Sequence, residues 1–176
     1  MIVADAGPLI ALARIQRLSL LQALYSDVLM PVAVQRELHL GTPRPGAQVL
    51  THAMNEGWLR AQAVDNTAEL ASLNRVLDAG EAEAIVLAEQ VTCQFLLIDD
   101  WHGRTVAKQR GLTVAGVAGV LLAAKRGGLI TDLSPVLAEL VTIGYRLSPQ
   151  LVAEVLRLAG EQPSPSLSTN PINVPT

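Results

Sequence analysis

The chain has 176 residues, half of them apolar, yet only five are aromatic, so Leu, Val, Ala and Ile must fill the core of what reads as one domain. A formal net charge of −3 excludes a global attraction to nucleic acid, and any such contact has to come from a local basic patch. The single cysteine, Cys93, excludes an internal disulfide framework, fits a reducing compartment, and reads as a small buried apolar residue.

In chain order, Met1–Ala4 reads as a buried strand, and Pro8 sits in the first turn of a helix carrying Leu9, Ile10, Leu12 and Ala13. A short helix follows through Leu18, Leu21 and Leu24. Val28–Met30 is a strand, and Pro31 opens a helix through Val34 and Leu38. Gly41 to Gly46 is a breaker segment. Helix 47–55 ends at Gly57, and the alternation of Trp58–Val64 predicts a third strand. Thr67 caps a helix carrying Leu70, Leu73 and Leu77, which Asp78-Ala-Gly80 breaks. Glu81–Val91 is helical, Phe95–Ile98 a strand, Trp101–Arg110 a helix, Leu112–Ala115 a fifth strand, and a helix runs through Leu121 and Leu122 to Gly127–Gly128.

Strands alternating with helices predict an α/β fold, a parallel sheet covered on both faces. From Ser134 the pattern changes to two helices, 134–143 and 148–159, each opening Ser-Pro, which form a helical hairpin. The expected organisation is one domain over residues 1–160, with 133–160 as its C-terminal helices, and a disordered tail over 161–176, which has four prolines and little to bury. The N-terminus lacks a basic n-region and Asp5 interrupts its apolar run, so no secretory signal is read there. The longest apolar stretch, 111–124, falls short of the ~20 residues a membrane span needs. A soluble, cytoplasmic protein is expected.

The acidic residues carry the chemistry. Apolar strands run into Asp5 and into Asp99–Asp100, and in an open parallel sheet ligands bind outside the carboxyl ends of strands. Singly, each acid has an ordinary explanation: Asp5 as a helix N-cap, Glu37 as a surface carboxylate, Glu81 or Glu83 as negative charge in a first turn. Together they gather at one edge of the predicted sheet, where like charges repel unless a cation compensates them. Oxygen ligands with no Cys or His beside them suit Mg²⁺ or Mn²⁺ and not zinc, and phosphodiester chemistry is the usual work of such a site. Arg104 and Lys108, four apart on one helix, could reach phosphates, with Arg36, Lys125 and Arg126 extending the patch; an Arg104–Asp100 ion pair is the competing reading. His39, His52 and His102 are scattered, and no aromatic interleaving supports base stacking.

Asp-x-x-Pro-Leu-Ile from Asp5, Gly-Glu-x-Glu-Ala-Ile from Gly80, and Asp-Asp-x-x-x-Arg from Asp99 with the following Gly-Val-Leu-Leu-Ala-Ala-Lys-Arg-Gly run closely resemble the PIN-domain superfamily over about residues 1–150. Within it the chain is similar to a prokaryotic PIN-like branch beside the VapC-type toxin ribonucleases. The resemblance implies a three-layer αβα fold with sheet order 3-2-1-4-5, so that Asp5 and Asp99–Asp100 face each other across the crevice. It implies an endoribonuclease using Mg²⁺ or Mn²⁺, acting on single-stranded or structured RNA. It also implies the toxin half of a toxin–antitoxin pair, with an antitoxin protein as partner. Apolar helices near both ends of the fold make a homodimer an expectation. By motif position Asp5, Glu37, Glu81 and Asp99 are the catalytic acids, with Asp100 a further metal ligand and Arg36, Arg104 and Lys108 the RNA contacts.

Two departures matter. Gly7 stands where active members of that family carry Ser, Thr or Asn, and the third acid, Glu81, stands for the more usual Asp. The runner-up reading is therefore a catalytically inactive PIN-like protein that binds nucleic acid or protein. A phospho-receiver domain would need a Lys after the fifth strand, where Ala115–Gly116 stands. A nucleotide-binding enzyme would need a glycine-rich phosphate loop, and none follows the first strand.

Overall fold

The computed structural model describes residues 1–65 and 67–162. Its centre is a five-stranded, all-parallel sheet of order β3-β2-β1-β4-β5. The strands are β1 (Ile2–Ala4), β2 (Val28–Pro31), β3 (Leu59–Gln62), β4 (Leu96–Leu97) and β5 (Val114–Ala115). Side chains alternate strictly between the faces. Ile2, Ala4, Val28, Met30 and Leu97 enter one core, while Val3, Leu29, Leu96 and Ile98 enter the other. Inner strands buried on both faces must be apolar at every position, which is why MIVA and FLLI carry no polar residue.

The larger core packs α1 (Ala6–Arg14), α2 (Ser19–Tyr25), α4 (Ala47–Asn55) and α8 (Val117–Arg126) on the sheet, together with the C-terminal pair α9 (Leu133–Thr142) and α10 (Pro149–Ala159). The opposite face holds α5 (Ala68–Leu73), α6 (Ala79–Val91) and α7 (Trp101–Gln109). Short α3 (Val32–Glu37) leaves β2 and packs chiefly on α6. The result is a three-layer αβα fold.

The caps explain several boundaries. Thr67 and Ser148 each accept a backbone N–H three residues on. Asp78 does the same for Glu81, so α6 begins at Ala79 and not at Glu81: the expected breaker, Asp78-Ala-Gly80, is the start of that helix. Glu83 accepts the Ala33 N–H at 3.0 Å, capping α3 from α6. Where residues 161–176 were expected to form a tail, Glu161 is anchored: its carboxylate accepts N–H bonds from Leu133 and Ser134 and pairs with Lys125 at 2.8 Å. Residues 163–176 lie outside the described residues. Among the described residues no helix is long and apolar enough to cross a membrane.

Candidate active site

The sheet reverses its winding between β1 and β4, which pair in register Val3↔Leu96 and Ala4↔Leu97. The residue after β1 is Asp5, whose N–H donates to Leu97 at 2.9 Å, and Asp99 follows β4 by two positions. Asp5 occupies the N-cap position of α1 yet makes no side-chain cap bond, so capping does not account for it. It is 9% exposed. Burial raises its pKa to about 7; the Ala6 amide offsets part of this, and Asp78, Glu37 and Asp99 add to it. A carboxyl moved that far is disfavoured in its charged form by on the order of 4 kcal/mol.

Glu81, 8% exposed in the first turn of α6, is also raised to about 7, by burial first and then by Asp78, Asp100 and Asp5. Glu37, at the end of α3, is raised by desolvation and by Asp78. Its carboxylate lies against Gly80, where an added Cβ would collide with it. Asp99 is raised by burial against the opposing influence of Tyr145, the Val117 amide and Arg104. Its Oδ1 accepts the Val117 N–H at 3.2 Å, and a Cβ on Gly116 would come within 2.5 Å of that oxygen. Its Oδ2 is buried beside Tyr145 and makes no hydrogen bond of ordinary geometry.

Asp99 and Asp100 thus separate. Asp100 caps α7, accepting from His102 and Gly103 N–H at 2.8 and 3.0 Å, and no Arg104–Asp100 ion pair forms. Arg104 turns inward: it donates to the Ile98 carbonyl at 2.8 Å and lies beside Asp99. Lys108 and Arg36 are exposed, and neither has an ion pair among the described residues.

Three features escaped the sequence reading. Asp78 influences Asp5, Glu37 and Glu81 at once; the available signal was an Asp two residues ahead of Gly-Glu-x-Glu, which a cap brings to the same end of α6. Arg14, His39 and Arg44 line a recess of about 240 Å³ together with Glu37. Tyr145, from the turn between α9 and α10, lies against Asp99. No local pattern in the sequence indicates that contact.

Among the described residues no three Asp, Glu, His or Cys side chains converge closely enough to hold an ion as they stand. The donor chemistry nevertheless fits a hard divalent cation. The donors are all carboxylate oxygens, and Asp5 and Glu81 carry pKa values near 7 through burial and the acids around them.

A family model, DUF3368, described as a PIN domain, matches residues 1–161. No curated protein and no solved structure matches the chain. The chain belongs to the PIN-domain family, whose members are in general nucleases that use divalent metal ions.

Proposed function

We propose, from that membership and from the site, that the chain is a cytoplasmic endoribonuclease dependent on Mg²⁺ or Mn²⁺. The observation that carries the reading is Asp5. It is a buried carboxylate at the sheet's switch point, without a cap bond, made costly by burial and by three other acids. A protein keeps such a group where a bound cation reverses its electrostatics.

Asp5, Glu37, Glu81 and Asp99 would hold the ion, with Asp78 and Asp100 adding negative charge around them. A bound divalent ion supplies Lewis acidity at a phosphate and a more acidic water. The chain's own residues do the rest. Arg104 holds the β4 end and Asp99 in place through Ile98. The free guanidinium and ammonium groups of Arg36, Lys108, Arg14 and Arg44 take phosphate oxygens. Trp101, directly after Asp100, is 77% exposed and offers one ring for an unpaired base, which favours single-stranded over duplex RNA.

The toxin role and the antitoxin partner belong to the same reading. A recess of about 570 Å³ between α1 and α9, walled by Ile15, Pro135, Ala138 and Ile143, gives a second chain or a second copy an apolar surface.

The test is cleavage of mixed single-stranded RNA with Mn²⁺ by wild type and Asp5→Asn. The expected result is cutting by wild type only, abolished by chelator. Absence of cutting, with no Mn²⁺-induced rise in Tm, overturns the reading. Gly7 favours the second reading, an inactive PIN-like binding protein, because it brings no hydroxyl or amide to the Asp5 side of the site. Under that reading RNA binding persists without cleavage.

A further inference from the structure

Two buried polar atoms among the described residues lack a hydrogen-bond partner: Asp99 Oδ2 and the Tyr145 hydroxyl. Native proteins rarely bury such groups without a reason, and here the two belong to residues that lie against each other. The backbone fixes this encounter. α9 ends in a Schellman stop: Gly144, at φ 83°, donates to Val141 at 2.9 Å, and Tyr145 donates to Leu140 at 3.0 Å. That reversal carries the Tyr145 ring into the side of the larger core, from a segment 46 positions beyond Asp99.

On its other side Asp99 is held firmly. Its Oδ1 is bound by the first N–H of α8 and confined by Gly116, with Arg104 beside it. One oxygen is therefore committed to the protein and the other faces the tyrosine. A purely structural tyrosine would send its hydroxyl to solvent or to a backbone carbonyl; this one is buried beside the acid and does neither.

We propose that Tyr145 is a positioning residue of the acid site, its hydroxyl donating toward Asp99 Oδ2 and setting how that carboxylate presents itself to a divalent ion. The inference rests on the proposed metal-dependent reading of the site and names a residue for it that comes from the C-terminal helical pair. Outer groups that orient ligands through a hydrogen bond typically change metal affinity or activity ~10–100-fold when removed. Gly7 offers no side-chain hydroxyl or amide from α1.

The experiment uses the full chain and Tyr145→Phe, which keeps the ring and its packing. Urea unfolding of wild type, Tyr145→Phe, Asp99→Asn and the double variant, all without metal, reads the contact itself. Non-additive midpoints are expected, and additive midpoints overturn the contact whatever the metal does. Titration with Mn²⁺ then reads the role. Tyr145→Phe is expected to bind Mn²⁺ ~10–100-fold more weakly and to lower kcat for single-stranded RNA with KM little changed. Wild-type affinity and kcat in a well-folded Tyr145→Phe overturn the positioning role while leaving the metal site standing. A wild type that binds no Mn²⁺ despite non-additive midpoints instead removes the reading beneath it, and the role with it.

Discussion

Two carboxylates in this molecule meet opposite treatment. Glu161 is supplied with everything an anion wants: the Leu133 and Ser134 N–H groups at the start of α9, and the Lys125 ammonium. Burial opposes its ionisation, but those bonds together hold its pKa below the usual glutamate value. Asp5 and Glu81, at the other site, have other acids for neighbours, and both are pushed up to about 7. The first arrangement is a finished joint tying α8, α9 and the end of α10 together. The second gathers like charges that nothing among the described residues neutralises, the arrangement on which the proposed cation site rests.

Neutralising each carboxylate should move the two regions in opposite directions. Asp5→Asn removes a group whose ionisation is unfavourable in the folded chain. The metal-free variant should therefore be more stable than wild type at pH 8, by up to ~4 kcal/mol, while losing Mn²⁺-dependent cleavage. Urea unfolding checks the first outcome, and destabilisation instead would show that Asp5 serves the fold. Glu161→Ala should do the reverse. It should cost about 2 kcal/mol through orphaned N–H groups and a stranded Lys125, and leave Mn²⁺ affinity as in wild type.

The pH dependence separates the two regions further. Between about pH 4 and 7 folded Asp5 and Glu81 retain protons that the unfolded chain has released, so stability should fall as pH rises through this window. Glu161 acts oppositely. Its contribution is present above the ordinary glutamate value of 4.5 and is lost as pH falls through its lowered folded value. A Tm profile of the metal-free protein should thus fall from mildly acid to neutral pH, and Asp5→Asn should flatten that slope. Added Mn²⁺ should stabilise more at pH 8 than at pH 5.5, because its ligands must be deprotonated.

The smallest expected change is Gly7→Ser. An added Cβ there meets nothing within 4 Å, and the position lies in the first turn of α1, so stability should change by less than about 1 kcal/mol. If the missing hydroxyl limits cleavage, the rate rises in this variant. An unchanged rate in an active protein would show that the site does not depend on that position.

Much of the fold was legible because it depends on local rules. Continuous apolar runs bounded by turns gave the strands, and Ser, Thr and glycine gave most helix ends. Asp78-Ala-Gly80 carries a local signal with two meanings: it reads as a breaker, yet an Asp followed by small residues also starts a helix, as it does for α6. The candidate acids were less evenly legible. Asp5 and the pair Asp99–Asp100 stand out because polar residues after buried strands fall on the sheet's carboxyl edge, and only the capping bonds of Asp100 separate the pair. As charges in a first turn Glu81 and Glu83 read alike, and only the family motif selects Glu81; the packing of α6 on α3 sends Glu83 to the Ala33 N–H and leaves Glu81 among the acids. Arg104 reads in sequence as a phosphate contact or a partner of Asp100, whereas in the fold it donates to the Ile98 carbonyl.

By itself, then, the sequence determined the alternation of strands and helices, the apolar sheet and the acids at its edge. Each follows from the period of side chains along one element. Only the tertiary structure decided which acids share a field, that Asp78 is one of them, that Asp100 is occupied as a cap, and that Tyr145 reaches Asp99. Burial and charge coupling depend on distances through space between elements far apart in the chain, and periodicity within an element carries no record of them.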